Sequence, residues 1–132
     1  MTVVAQDSCR VVLPSSAAAA SHARRRLTGH LRACGVVDTA VEDAAVVVSE
    51  LVTNAVRHAA RGADAMVQVE WSLTVTRLRL KVSNVARATR RPLHEHEAVG
   101  GRGLSIVAAL SETWSLEHAD GGTTVTACLC VA

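Results

Sequence analysis

The segment SELVTNAVRHA, Ser49 to Ala59, carries a carboxylate, a carboxamide and an imidazole at Glu50, Asn54 and His58. The three are spaced one helical turn apart, so on an α-helix they share one side. A carboxylate can take the proton of an attacking hydroxyl, a carboxamide oxygen is a hard ligand suited to Mg2+, and an imidazole can donate or accept. The same spacing also suits the solvated side of an amphipathic helix that does no chemistry. The choice between the two depends on what stands opposite.

A second stretch offers an anion-binding partner. In GGRGLSIV, Gly100 to Val107, glycines stand immediately before an apolar-periodic segment. Glycines ahead of a helix let backbone N–H groups close on an anion, and the helix dipole favours negative charge there. Arg102 adds a cation able to reach phosphate oxygens. The pattern is not a P-loop, which needs a following Lys and Ser or Thr, nor the dinucleotide fingerprint, which follows a strand. A plain loop-to-helix connection would also account for it.

The elements that position these stretches follow from periodicity. CRVVLP predicts a short strand stopped by Pro14, after which Ser15 or Ser16 caps a helix running to Gly35. Asp38 opens a second helix reaching about Ala60. On it Val41, Ala45, Val48, Val52, Ala55 and Ala59 form the core stripe. Glu50 and Asn54 fall roughly 180° to 220° round from that line. AMVQVEWSL and RLRLKVSN alternate with a period of two and predict half-buried antiparallel strands. The segment from Val85 to Val99 has no period and reads as a long loop, of the kind that is usually functional or disordered. A helix through Leu104, Ile106, Val107 and Leu110 follows, then strands TWSLEH and TTVTACLCV joined at ADGG. The economical architecture is an antiparallel sheet covered on one face by helices.

Composition narrows the function classes. The chain has 132 residues, enough for one domain with a real core. It lacks Phe and Tyr, so Val, Leu and Ala must fill that core around Trp71 and Trp114. A net charge of +2 without interleaved aromatics argues against direct nucleic-acid binding. The amino terminus does not read as a signal peptide, and no segment approaches membrane-spanning length. Cys9, Cys34, Cys128 and Cys130 show no C-x-x-C spacing and are expected to be reduced thiols of a cytoplasmic protein. A disulfide framework or a zinc site remains the alternative, and His94 with His96 adds little to it.

In chain order, ELVTNAVRHA, VSN, a long loop, GGRGL and GGTTV resemble the GHKL ATPase domain, and within it the anti-sigma factor serine kinases of actinobacterial type. The likeness covers nearly the whole chain. It implies an α+β fold, a two-layer α/β sandwich of Bergerat type with a mixed, mainly antiparallel sheet and helices on one face, forming a single ATP-binding domain over residues 1–132. By the same resemblance Glu50 matches the general base and Asn54 the Mg2+ ligand. His58 lies where the family often has a polar residue near the nucleotide, and a structural role suits it equally. Gly101, Arg102, Gly103 and Leu104 match the glycine box around the triphosphate of ATP, Thr123 matches a threonine near the adenine, and residues 86–99 match the lid. The departure is at Asn84, where the family has Asp followed two residues later by Gly, and this chain has Asn84 and Ala86. An amide still offers an acceptor to the adenine amino group, without the charge-assisted bond, at a cost of ~1 kcal/mol or more.

The function so implied is ATP-dependent phosphorylation of a serine or threonine on a STAS-domain anti-sigma factor antagonist, together with sequestration of a sigma factor. A cytoplasmic homodimer without direct nucleic-acid or membrane contact goes with it. The competing reading is a non-catalytic module of the same fold that sequesters a regulatory partner with weak or lost nucleotide binding. Asn84 and Ala86 favour the module; Glu50 and Asn54 favour the kinase.

Overall fold

Alternation of apolar and polar side chains sets the sheet. Strand β2, Met66–Leu73, buries Val67, Val69, Trp71 and Leu73, and β3, Arg77–Val85, buries Leu78, Leu80 and Val82. Strand β5, Gly122–Cys130, buries Thr123, Val125, Ala127 and Leu129 in the same rhythm. In a strand such a period puts one whole set on one face. The computed structural model describes residues 7–58, 65–85, 101–119 and 122–132. With β1, Asp7–Pro14, and β4, Thr113–Ala119, these strands form one five-stranded sheet of order β1-β2-β3-β5-β4. Every pairing among the described strands is antiparallel, so the sheet expected to be mixed contains no parallel pair within them.

Among the described residues three helices cover the apolar face: α1, Ala19–Ala33, α2, Asp38–His58, and α3, Gly101–Leu110. Helix α1 contributes Ala23, Leu27 and Leu31, all fully buried. Its end is a Schellman turn, in which Gly35 at φ 82° donates to the Arg32 carbonyl and Val36 donates to that of Leu31. Its start departs from expectation. Ser15 and Ser16 do not cap it; Ala18 is the N-cap, with no side-chain bond. The Ser15 N–H is already tied to the Ala65 carbonyl at 2.9 Å, and Ser16 accepts from Ala18 and Ala19 in a turn that precedes the helix.

Helix α2 buries more than the expected stripe. Val41, Val48, Val52 and Ala55 are in the core, but Ala44, Val47 and Leu51 join them, and Ala45 is only half-buried. The expected extension to Ala60 lies outside the described residues. The stripe is wide because α2 packs against α1 and α3 as well as the sheet, so the helix has three partners instead of one. No helix among the described residues is long and apolar enough to cross a membrane.

At the far end of the sheet the Trp71 indole donates to His30 Nδ1 at 2.7 Å, satisfying the polar atom of the one large aromatic in the core. That bond leaves the His30 proton on Nε2, 3.9 Å from Asp7 Oδ2. Asp7, His30 and Cys34 bring their ligand-type atoms within 4.8 Å of one another. With an N–H and not a lone pair turned toward the other two, His30 is poorly set to join them as a metal ligand. The Cys34 thiol donates to Asp7 Oδ2 at 3.2 Å. That bond first, then burial and the carboxylate charge, push the thiol above its ordinary range. All four cysteines are free, as the sequence implies; His94 and His96 lie outside the described residues. Since the thiolate is the nucleophile, Asp7→Ala should speed alkylation of Cys34 by iodoacetamide at pH 8 several-fold. The exposed Cys130 serves as internal reference in a mass-spectrometric time course, and an unchanged rate would show that Asp7 does not control the thiol.

Candidate functional site

Helix α2 lies on the sheet with α1 and α3 packed against it, and its polar side is partly covered. Glu50 and Asn54 are both half-buried, where a helix with a single apolar partner would leave them in water. The two sequence motifs meet here. Gly103, in the first turn of α3, approaches Glu50 so closely that a Cβ on residue 103 would stand 2.9 Å from Glu50 Oε1. The first four backbone N–H groups of α3 have no partner within the helix, and its first turn holds no acidic side chain. An anion near Glu50 would therefore meet a positive helix end.

Beyond Asn54 the space continues as a pocket between helix and sheet. Leu51, Asn54 and Ala55 of α2, Val82 and Asn84 of β3, and Thr123 and Val125 of β5 line it, and the space they enclose is about 10 Å3, room for about one water. Its walls are mostly apolar, with three polar groups. Asn84 Oδ1 is buried and has no hydrogen-bond partner among the described residues. Leaving such an acceptor unmade costs roughly 1–3 kcal/mol, so it marks a place where a donor is missing. Thr123 is 8% exposed, and its Oγ1 lies 3.2 Å from Nδ1 of His118, its register partner on β4. On the opposite face of the sheet Ser83 Oγ and Thr124 Oγ1 meet at 3.0 Å, which clips together the strand ends that carry Asn84 and Thr123. A buried acceptor between apolar walls is matched by an amino group on the edge of a flat heterocycle such as adenine, although the walls must part to admit the ring.

The structure brings most of the sequence-derived residues into this one region. Glu50 and Gly103 are in contact range, and Asn54, Asn84 and Thr123 share the pocket. Leu104 is 5% exposed and its side chain belongs to the core, not to the pocket. Gly101 begins α3 and His58 ends α2, but the side chains of His58 and Arg102, and residues 86–100 with the expected lid, lie outside the described residues. Leu51 and His118 went unread in the sequence. Leu51 sits between the apolar stripe and the polar ladder, and its flanking position was the available signal. His118 had none beyond its place four residues before GTT.

Comparison with known proteins agrees with this geometry. The histidine kinase-like ATPase domain family matches residues 13–129. Serine-protein kinase RsbW of Listeria innocua serovar 6a is 26% identical over 129 residues, covering 87% of this chain and 82% of the relative. The same protein of Listeria monocytogenes serotype 4b gives the same figures. Among solved structures, the RsbU and RsbW domains of Rv1364c from Mycobacterium tuberculosis align with a TM-score of 0.69 at 24% identity, over 93% of this chain. This chain spans 32% of that longer one, and the likeness is one of fold. The family match spans 117 positions that include Glu50, Asn54, Asn84, Gly103 and Thr123, and the chain belongs to the histidine kinase-like ATPase domain family.

Proposed function

We propose that this chain is an ATP-dependent protein serine/threonine kinase that also acts as an anti-sigma factor, a single cytoplasmic domain over residues 1–132 working as a homodimer. The observation that carries the reading is the buried, unpartnered Asn84 Oδ1, which lies in the pocket that Asn54 also lines, one helical turn along α2 from Glu50. A nucleotide with its amino group on Asn84 and its phosphates toward the first turn of α3 satisfies both ends at once. The RsbW relatives are named serine-protein kinases, and the expected acceptor is a hydroxyl of a STAS-domain antagonist, with a sigma factor as the second partner.

In the reaction, the acceptor hydroxyl oxygen forms a bond to the γ-phosphorus. The bond from that phosphorus to the β–γ bridging oxygen breaks, and ADP leaves with the electron pair. Glu50 takes the hydroxyl proton. The amino-terminal N–H groups of α3, from Gly101 to Leu104, hold the phosphates, with Arg102 as added charge. Asn54 offers the hard oxygen that suits Mg2+, which when bound supplies neutralising charge to the phosphates.

A second reading keeps the fold and the partners but not the catalysis. Asn84 favours it, since a neutral amide holds the amino group less firmly than a carboxylate does. Calorimetric titration with ATP, with and without Mg2+, separates the two. Binding that depends on magnesium supports the kinase, and no binding supports the module.

Three substitutions test the assignment. Glu50→Gln is expected to reduce phosphoryl transfer to the antagonist at least ~100-fold while ATP still binds, because the base is lost and the shape kept; undiminished transfer in a radiolabel assay would remove Glu50 from the mechanism. Gly103→Ala places a methyl 2.9 Å from Glu50 Oε1, the far end of a side chain that can swing away. The variant should melt close to the parent temperature and transfer phosphate at least ~10-fold more slowly, as expected for a displaced catalytic group. Asn84→Asp restores a charged acceptor and should tighten ATP binding about fivefold, from ~1 kcal/mol; equal or weaker affinity would show that the base is read elsewhere.

A further inference from the structure

The contact between His118 and Thr123 does something that neither residue does alone, and its meaning rests on the nucleotide-binding reading of the pocket. Thr123 lines the pocket, and its Oγ1 lies 3.2 Å from His118 Nδ1. A hydroxyl has one proton and two acceptor positions. If Nδ1 accepts that proton, the hydroxyl shows the pocket only lone pairs. If Nδ1 carries a proton and donates, the hydroxyl proton is free to turn into the pocket.

The difference matters because Asn84 is an amide. An aspartate at that place would be an acceptor only, whereas a carboxamide holds an oxygen and an NH2 group on one rotatable unit. A 6-aminopurine presents a donor, its amino group, beside a ring-nitrogen acceptor. A 6-oxopurine presents the reverse, an acceptor beside an N–H. With Asn84 able to serve either, the partner group decides, and in this pocket that group is Thr123, the one hydroxyl among the lining residues.

We infer that His118 is a positioning residue for base selection: donating from Nδ1, it holds the Thr123 hydroxyl as a hydrogen-bond donor to the ring nitrogen of a 6-aminopurine. The buried Asn84 Oδ1 then accepts from the amino group, and the two together match adenine and oppose hypoxanthine. His118 does not line the pocket and is exposed, so its role is exercised through Thr123.

The test uses the whole chain and two ligands, ATP and ITP, which differ at the purine edge and share the triphosphate. Any effect of a variant on phosphate binding or folding cancels in their affinity ratio. His118→Glu supplies an acceptor only and takes the Thr123 proton, so the preference for ATP should fall at least ~10-fold. His118→Gln keeps an N–H donor and should hold the ratio within about twofold of the parent. In a Thr123→Val background His118→Glu should change the ratio no further, since the group it acts through is gone. A parent that binds ATP, with a ratio unmoved by His118→Glu, overturns the role of His118 and leaves the nucleotide site standing. A parent that binds neither ATP nor ITP overturns the nucleotide site and this inference with it.

Discussion

The first turn of helix α3 lies against the Glu50 carboxylate, and residue 103, having no side chain, leaves that carboxylate its place. The carboxylate is already within 2.9 Å of where a Cβ would be. A side chain at 103 would turn the Glu50 carboxylate aside, so this glycine decides where the carboxylate stands. Leu51 is excluded from water, Glu50 and Asn54 are half-buried, and Leu51 and Asn54 share a pocket with Asn84. A bulkier residue at 103 would leave the sheet and its core intact and displace the Glu50 carboxylate.

The sheet contributes rigidity where it is needed. Strands β3 and β5 are neighbours at the centre of the sheet, each with a partner on its other side. Asn84 and Thr123 sit near the ends of these two strands, where the regular side-chain alternation still fixes their directions. The Ser83 to Thr124 bond on the opposite face adds a polar clip at the same level. Polar groups placed on such a framework keep their positions when a ligand arrives, so little ordering cost falls on binding.

Much of this was legible in the sequence, and the reasons differ by element. Strands β2, β3 and β5 could be read because one face is core and the other solvent, which imposes the alternation seen from Val67 to Leu73 and from Leu78 to Val82. The one-turn spacing of Glu50 and Asn54 placed them on one side of α2 correctly. The burial of that side could not be read, because it depends on a helix about 50 residues further along the chain. Local rules also misplaced the start of α1: Ser16 is a good cap by type, but the Ser15 to Ala65 bond holds the chain in another direction. Asn84 was legible as a departure in type and not as a buried acceptor without a partner. His118 could be understood only from the register that sets it opposite Thr123.

The absence of Phe and Tyr gives the two tryptophans a consequence outside chemistry and folding. All near-ultraviolet emission from this chain comes from Trp71, sealed in the core with its indole bonded to an imidazole, and Trp114, partly open to water on β4. One indole therefore reports the seam between α1 and the sheet, and the other reports the edge strand that carries His118. The molecule holds two lamps in one register row of its sheet, one on the inner strand β2 and one on the edge strand β4, and neither needs to be engineered in.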